Sequence, residues 1–251
     1  MRNDIWHQKA YIDFDMNLST INMKKSVLSL AFSFFILLTF GQTITKDELL
    51  GKINPAKHAD FALIQSVHTT KLNIYLRKAT YDSFTKMYDA ALKDGVKLTI
   101  ISATRNFDAQ KAIWEKKWVR PQYKGKTDVE KASDIMKYSS MPGTSRHHWG
   151  TDIDMNSLEN SYFTSGEGKK MYEWLIKNAA SYGFYQTYTS KSNGRTGYEE
   201  EKWHWSYKPL SEVYLQEYKK QITYTDLVGF SGCSAAQDLK VIEVYVCGIE
   251  L

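Results

Sequence analysis

Two short segments, about fifty residues apart, carry side chains that could perform hydrolytic chemistry. Residues 145 to 154 read SRHHWGTDID, and residues 201 to 205 read EKWHW. Together they supply histidine, aspartate and glutamate, the residue types that hold a catalytic zinc ion through three protein ligands and leave one position for water. A carboxylate beside such an ion can take a proton from that water. The two segments therefore predict a hydrolytic zinc site.

The alternation of side chains along a strand explains how these residues could meet. His204 should point away from its tryptophan neighbours, which can then be buried while the imidazole faces a cleft. Asp152 and Asp154 should likewise share one face of a short strand. A carboxylate and an imidazole on neighbouring strands could then bind one ion, and a histidine from the turn before Gly150 could complete the set.

The residues alone leave several choices open. His147 and His148 are adjacent in sequence, and because adjacent side chains rarely face one ion, only one of them is expected to be a ligand. Asp152 and Asp154 are both candidates for the carboxylate ligand. The acidic run at residues 199 to 201 could be a solvated surface with no role in chemistry.

Three motifs stand in a recognisable order along the chain. A Ser-x-x-Arg-x-x-x-x-Gln segment covers residues 102 to 110, Ser-x-His-x-x-Gly-x-x-x-Asp covers residues 145 to 154, and Glu-x-Trp-His covers residues 201 to 204. This set resembles the zinc D-alanyl-D-alanine carboxypeptidases of the VanY type. The wider group includes L,D-carboxypeptidases, phage endolysin peptidases and the hedgehog amino-terminal domain.

The resemblance implies a zinc site with a catalytic base. Its metal ligands are His147, Asp154 and His204, and Glu201 accepts the proton of the attacking water. In a straight strand Glu201 would face away from His204, because an odd spacing of three residues separates them. We therefore expect a turn or bulge near Lys202.

The resemblance also implies residues that bind the substrate. Arg105 binds a substrate carboxylate or stabilises the oxyanion of the transition state, so it belongs to both the catalytic and the substrate-binding sets. Ser145 hydrogen-bonds the substrate, and Gln110 supports the loop of Arg105. Asp152 departs from the family pattern, which usually has a small residue at this position, and it would bring a second negative charge to the metal.

The predicted elements mix helices and strands without a regular alternation, which indicates an α+β class. We expect a single domain in which a small antiparallel sheet carries the zinc site and helices pack around it, as in the hedgehog and D,D-peptidase folds that the resemblance implies. Helices are predicted over residues 45–50, 79–94, 107–118, 129–136 and 169–182, and strands over residues 96–102, 152–155 and 203–207.

The amino-terminal part of the chain is not predicted to belong to this domain. Residues 23 to 41 have two lysines before an apolar run and end in small residues, which is typical of a secretory signal peptide. The run is shorter than the roughly 20 residues of a spanning helix. We expect residues 1 to 22 to be an extension of uncertain role, residues 42 to 251 to form the catalytic domain, and the protein to be exported to the periplasm or cell envelope without a stable membrane anchor.

The charge bears on nucleic-acid binding, and the two cysteines bear on whether the chain contains a disulfide. The net charge of +5 over 251 residues comes without a dense basic block, which does not favour nucleic-acid binding. Cys233 and Cys247 flank a predicted helix over residues 235 to 246, within a helical segment of about residues 226 to 251. Such a helix would hold them roughly 21 Å apart, beyond the ~7 Å that a disulfide allows. We expect two unpaired thiols.

The favoured function is therefore Zn2+-dependent hydrolysis of the terminal D-alanyl-D-alanine bond of peptidoglycan stem peptides. One alternative is an L,D-carboxypeptidase or endopeptidase that acts on the same polymer. Another is a non-catalytic, zinc-stabilised binding module, against which Glu201 and Arg105 argue, since a structural zinc is normally closed by a fourth protein ligand. The sequence makes no prediction of oligomeric state.

Overall fold

Two antiparallel sheets organise the fold. The structure is a computed structural model that describes residues 43 to 249, so the predicted signal peptide and the extension before it lie outside the described residues. Residues 44 to 249 belong to one compact unit. A two-stranded sheet pairs β1 with β2, and a four-stranded sheet has the order β3, β4, β6, β5. The strands are β1 (Phe61–Leu63), β2 (Tyr75–Arg77), β3 (Ile100–Ser102), β4 (Asp152–Met155), β5 (Phe184–Gln186) and β6 (His204–Tyr207).

Helices surround these sheets. They are α1 (Lys46–Leu49), α2 (Lys78–Lys93), α3 (Phe107–Trp118), α4 (Asp128–Ile135), α5 (Gly166–Asn178), α6 (Lys208–Gln221) and α7 (Ala235–Asp238). Local sequence explains where several of them begin: Thr45 and Glu48 form a reciprocal capping box at α1, and the side chain of Asn106 accepts a hydrogen bond from the third backbone N–H after it at α3. No helix within residues 43 to 249 has the length and apolar character to cross a membrane.

Two hydrophobic clusters position the four-stranded sheet. The first joins the sheet to α2 and α5, and its members include Phe84, Leu175 and Ile153 of β4. The second joins α1, α3, α4, α6 and the carboxy-terminal segment, and it contains Trp149. Full burial of side chains of this size contributes roughly 1.5 to 3 kcal/mol each. The segment that carries residues 145 to 154 therefore passes from one cluster to the other and is held at both ends.

The turn before β4 is fixed by a close approach between backbone and side chains. Residues Arg146–Trp149 form one turn of 3-10 helix, which Gly150 ends with φ of 73°. A Cβ atom at Gly150 would lie 2.5 Å from the ring of Phe61, so no larger residue fits. Arg77 holds the same turn, because its backbone N–H donates to the Gly150 carbonyl at 3.1 Å and its Nε donates to the Trp149 carbonyl at 2.8 Å.

The α+β class and the small antiparallel sheet are confirmed. The predicted helix over residues 107 to 118 and the strand over residues 152 to 155 have the observed bounds. The strand predicted over residues 96 to 102 is shorter, since only Ile100–Ser102 pair with β4. The structure adds β1, β2, β5 and α6, which the sequence analysis did not predict.

The predicted continuous helix over residues 235 to 246 is wrong. α7 ends at Asp238, and a separate π-helical turn covers Ile242–Val246. Between them Lys240 has φ of 47°, a left-handed conformation that interrupts a right-handed helix. Cys233 and Cys247 are free thiols, but a continuous helix is not what separates them.

Candidate metal centre and active site

Three side chains converge where β4 and β6 pair. Asp154 lies directly opposite His204 in the register of these strands, and His147 reaches them from the 3-10 turn. The Nε2 atom of His147 is 3.3 Å from Oδ2 of Asp154, and Nδ1 of His204 is 3.0 Å from Oδ1 of Asp154. All three residues are buried, and one ligand atom of each lies within 4.8 Å of the others, so the group could hold a metal ion.

The environment of His147 fits a metal ligand. Its Nδ1 atom lies 2.8 Å from the carbonyl oxygen of Ala103, so Nδ1–H donates there. Its Nε2 atom is buried, lies 3.3 Å from Oδ2 of Asp154 and is otherwise without a hydrogen-bond partner, which is rare for a buried polar atom. Burial and the positive charge of Arg105 lower the pKa of the ring, which favours the neutral form that binds metals. Two imidazole nitrogens and one carboxylate form a donor set that suits zinc.

His148 has a different position and is not part of this group. Its Nδ1 atom is 2.6 Å from the carbonyl oxygen of Arg105, and its Nε2 atom accepts a hydrogen bond from the backbone N–H of Gly143 at 3.0 Å. Burial lowers the pKa of the ring to about 3. With both nitrogens bonded to backbone, His148 anchors the segment that carries Arg105.

Asp152 also lies outside the group of three. Its Oδ2 atom is 2.8 Å from Nε2 of His204, on the side of the ring that faces away from Asp154. The register explains this position, because Asp152 pairs with Ser206 and therefore lies diagonally from His204 on the shared face. Asp154, and not Asp152, joins the two histidines.

Glu201 faces the same cluster because of a turn. Residues 202 and 203 form this turn, and the backbone N–H of His204 donates to the carbonyl of Glu201 at 3.3 Å. The predicted turn near Lys202 is thus confirmed. It brings Oε2 of Glu201 to 3.7 Å from Nδ1 of His204, on the side where Asp154 lies.

Asn160 holds this turn from outside the strand. Its side-chain N–H donates to the carbonyl of Glu200 at 2.7 Å, and its Oδ1 accepts from the backbone N–H of Lys202 at 3.0 Å. The two bonds fix the backbone on either side of Glu201. Asn160 is not among the predicted site residues, because it lies in none of the three motifs.

Burial and charge set the protonation of the cluster. Burial raises the pKa of Glu201 to about 8, and the nearby charge of Asp154 adds to the effect. Burial alone would lower the pKa of His204, but its hydrogen bonds with Asp152 and Asp154 outweigh burial and raise the pKa to about 9. The carboxylates around His204 thus favour a positive charge between them. A divalent cation would compete with a proton for this place, so metal binding should depend on pH.

The cluster opens into a cleft of about 740 Å³. Arg105 and Ser145 line it, and the Nε atom of Arg105 and the Oγ atom of Ser145 are buried without partners. Gln110 does not line this cleft, and its side chain instead donates to the carbonyl of Ser140, a residue of the cleft wall, at 2.7 Å. Gln110 therefore supports the wall at Ser140, and its predicted support of the Arg105 loop stays a prediction.

Aromatic rings and one lysine complete the wall of the cleft. The ring of Tyr188 lies 4.6 Å from that of His204, and the ring of Tyr198 lies 4.9 Å from Tyr188. Lys117, in the last turn of α3, also lines the cleft, and burial lowers its pKa. None of these three residues was predicted from the sequence, since they lie outside the three motifs. Trp203 lines the cleft too, consistent with a largely buried aromatic.

Comparison with known proteins identifies the family that this arrangement belongs to. Residues 73 to 210 match the family model for VanY, described as D-alanyl-D-alanine carboxypeptidase. The chain belongs to the VanY family. The matched region contains the three candidate ligands, Glu201 and Arg105.

Individual relatives are similar over part of their length. YodJ of Bacillus subtilis (strain 168) is 33% identical over 139 residues, which cover 53% of this chain and 46% of that protein. A D-alanyl-D-alanine carboxypeptidase of Enterococcus faecalis (strain ATCC 700802 / V583) is 31% identical over 133 residues, covering 52% and 48%. The chain spans about half the length of these relatives. The LdcB LD-carboxypeptidase structure has the same fold, with a TM-score of 0.51 and 23% identity over 72% of this chain and 82% of that one.

Proposed function

We propose that this protein is a zinc-dependent D,D-carboxypeptidase that hydrolyses the terminal D-alanyl-D-alanine bond of peptidoglycan stem peptides. The observation that carries the proposal is the meeting of His147, Asp154 and His204 in one buried group at a cleft, with Glu201 3.7 Å from His204. Membership of the VanY family supports the substrate class. The presence of a carboxylate next to the donor group favours an enzyme over a binding module.

His147 through Nε2, Asp154 through its carboxylate and His204 through Nδ1 would hold the zinc ion. When bound, zinc acts as a Lewis acid and lowers the pKa of water toward about 7. Ala103 supports this role by accepting the Nδ1–H of His147 at 2.8 Å, which leaves the Nε2 lone pair free. The three ligands leave the cleft side of the cluster accessible to substrate.

Glu201 would act as the general base and then as the general acid. Its carboxylate takes a proton from the attacking water and delivers it to the nitrogen of the leaving D-alanine. Burial raises the pKa of Glu201, so the group can hold the proton between these two steps. A cation bound nearby lowers the same pKa and favours the ionised base at the start of the cycle.

Arg105 would recognise the carboxy terminus of the peptide. Its Nε atom is buried in the cleft region without a partner, and a guanidinium binds a carboxylate through two parallel hydrogen bonds. Ser145, whose Oγ is also without a partner, adds a neutral donor. A cation at this place selects a chain end, which is the difference between a carboxypeptidase and an endopeptidase.

The substrate lies outside the cytoplasmic membrane, so the proposal includes export. The lysines and the apolar run within residues 23 to 41 support a secretory signal peptide. Blocking signal peptidase should leave a longer form in cell extracts, detectable by mass spectrometry of the amino terminus.

The direct test is release of D-alanine from a pentapeptide stem by the zinc-loaded protein. Glu201→Gln, which keeps the shape of the side chain, should lower kcat by roughly 10²- to 10⁴-fold, the usual contribution of general acid–base catalysis. Its zinc content, measured by atomic absorption, should equal that of the wild type. Equal rates of release by both proteins would exclude Glu201 as the base.

A tetrapeptide stem in the same assay tests the bond that is cut. D,D-carboxypeptidase activity requires the pentapeptide, whereas L,D-carboxypeptidase activity releases D-alanine from the tetrapeptide. Release from the tetrapeptide alone would overturn the proposed bond specificity while leaving the zinc hydrolase mechanism intact.

A further inference from the structure

Asp152 lies on the side of the His204 ring that faces away from Asp154. All the acceptor positions of its carboxylate are used there. Its Oδ2 atom lies 3.0 Å from Nε of Arg146 and 2.8 Å from Nε2 of His204. Its Oδ1 atom accepts hydrogen bonds from Oγ of Ser206 at 2.8 Å and from Oγ1 of Thr151 at 2.6 Å. Because a carboxylate offers about four acceptor positions, none remains for a metal ion.

Arg146 compensates the charge of Asp152. It is 1% exposed and Asp152 is fully buried. The guanidinium also donates to Oγ of Ser206 at 2.9 Å and to the hydroxyl of Tyr185 at 3.2 Å, and it lies 4.8 Å from the ring of Trp149. A buried carboxylate is tolerated when it is paired and hydrogen-bonded in this way. Asp152 thus places a negative charge beside His204, and Arg146 compensates that charge.

These contacts decide which nitrogen of His204 a metal ion would take. Asp152 and Asp154 can both only accept, so without a cation each ring nitrogen faces a carboxylate acceptor. A cation held by Asp154 would replace the proton on Nδ1, because that nitrogen lies on the side of Asp154 and the cleft. The proton on Nε2 would stay, since Asp152 has no acceptor position left for a metal ion and continues to accept it. His147 has the opposite arrangement, since Ala103 accepts its Nδ1–H and leaves Nε2 free.

We propose that Asp152, neutralised by Arg146, is a positioning residue that fixes the tautomer and the orientation of His204 for metal binding. Asp154 would bind the ion itself, whereas Asp152 acts only through His204. This role rests on the metal site of the proposed function. Partners of this kind typically change metal affinity by roughly 10- to 100-fold.

The first test uses the wild-type protein, labelled with ¹⁵N-histidine and loaded with zinc. Long-range ¹H–¹⁵N spectra distinguish a protonated ring nitrogen from one that is not. The expected result for His204 is a proton on Nε2 and none on Nδ1. A proton on Nδ1 in the zinc-loaded protein overturns the proposal, and this test needs no variant to fold.

The second test compares two double variants in which no buried charge is left unpaired. Arg146→Met with Asp152→Ala removes the acceptor, and it should bind zinc roughly 10- to 100-fold more weakly than the wild type in competition with a chromogenic chelator. Arg146→Met with Asp152→Asn keeps a carbonyl acceptor and should recover most of the affinity. Circular dichroism checks that both are folded.

The outcomes separate the two proposals. Unchanged zinc affinity in the folded Ala variant, or no recovery in the Asn variant, overturns the role of Asp152 and leaves the zinc hydrolase intact. A wild-type protein that binds no zinc overturns the proposed function and the role of Asp152 with it. If the double variants do not fold, the spectra of the wild type decide.

Discussion

A carboxylate lies on each side of the His204 ring, but the two carboxylates differ in their hydrogen bonds and in their distance from the cleft. On the pocket side, defined by Asp154, His147 and Glu201, polar atoms lie near a cleft and the Nε2 of His147 has no partner. On the core side, defined by Asp152 and its partners, the carboxylate is fully bonded. One strand thus carries a carboxylate that lines the cleft and, two residues earlier, a carboxylate whose acceptor positions are all used inside the protein.

The difference teaches that hydrogen-bond partners, rather than residue type, distinguish the two carboxylates of this strand. Buried polar atoms are normally satisfied, so the unpaired Nε2 of His147 beside the cleft is a candidate to bind a ligand. Changes on the pocket side should therefore affect activity and spare the fold. Changes on the core side should affect the fold first.

The largest effect is expected from Asp154→Ala on the pocket side. Loss of one of three ligands should abolish tight zinc binding and lower D-alanine release by roughly 10³-fold or more. The zinc-free variant should remain folded, because the core-side contacts of His204 persist. Zinc competition and circular dichroism measure the two properties. Wild-type zinc affinity in this variant would show that Asp154 is not a ligand.

On the core side, Arg146→Ala should act on stability. It leaves the charge of Asp152 buried without its cation, which typically costs about 3 to 5 kcal/mol of unfolding free energy. Lys208→Ala is the matched control, since its pair with Glu212 is exposed and worth about 1 kcal/mol or less. Urea unfolding measures both variants. Equal losses of unfolding free energy in the two variants would show that the buried pair of Arg146 and Asp152 contributes no more to stability than an exposed pair.

A smaller effect on activity is expected from a change at the turn that positions Glu201. Asn160→Ala removes the hydrogen bonds to the backbone at Glu200 and Lys202. Because small displacements of a catalytic group slow the reaction, kcat should fall roughly 10-fold. Zinc affinity should not change, since Asn160 is bonded to none of the three ligands. A weakened zinc affinity at unchanged kcat would contradict this assignment.

The last prediction concerns the pH dependence of the stability of the zinc-free protein. Burial raises the pKa of Glu201 from its ordinary 4.5 to about 8, so the folded state holds a proton that the unfolded state has lost. Between these values, rising pH therefore lowers stability through this group. Relative to Glu201→Gln, the wild type should lose unfolding free energy from pH 5 to pH 8 in urea titrations with chelator. A parallel pH dependence of the two proteins would count against the buried, protonated Glu201.

Much of the candidate site could be predicted from the three sequence motifs. The resemblance of these motifs to the VanY family implied His147, Asp154, His204, Glu201 and Arg105, and strand alternation then required the turn that is found at Lys202. Spacing works here because β4 and β6 are short and regular, so register and alternation decide which side chains meet. The aromatic wall at Tyr188 and the bonds from Asn160 come from segments without such a pattern.

The carboxy-terminal region shows where local reasoning failed. Apolar periodicity over residues 235 to 246 predicted one helix, but Lys240 adopts a left-handed conformation and the helix is divided. The segment packs against α4 and other helices of the second cluster. Tertiary packing of that kind overrides a periodicity that many backbone conformations could satisfy.

By itself, the sequence determined which residue types could act, their order along the chain and the α+β class, because these follow from composition, spacing and strand alternation. Only the tertiary structure shows why neighbours of the same type differ. His148 is bonded at both nitrogens, and Asp152 is bonded at all its acceptor positions, whereas His147 retains a free nitrogen. Hydrogen-bond partners come from distant parts of the chain, and their geometry exists only once the sheet has formed.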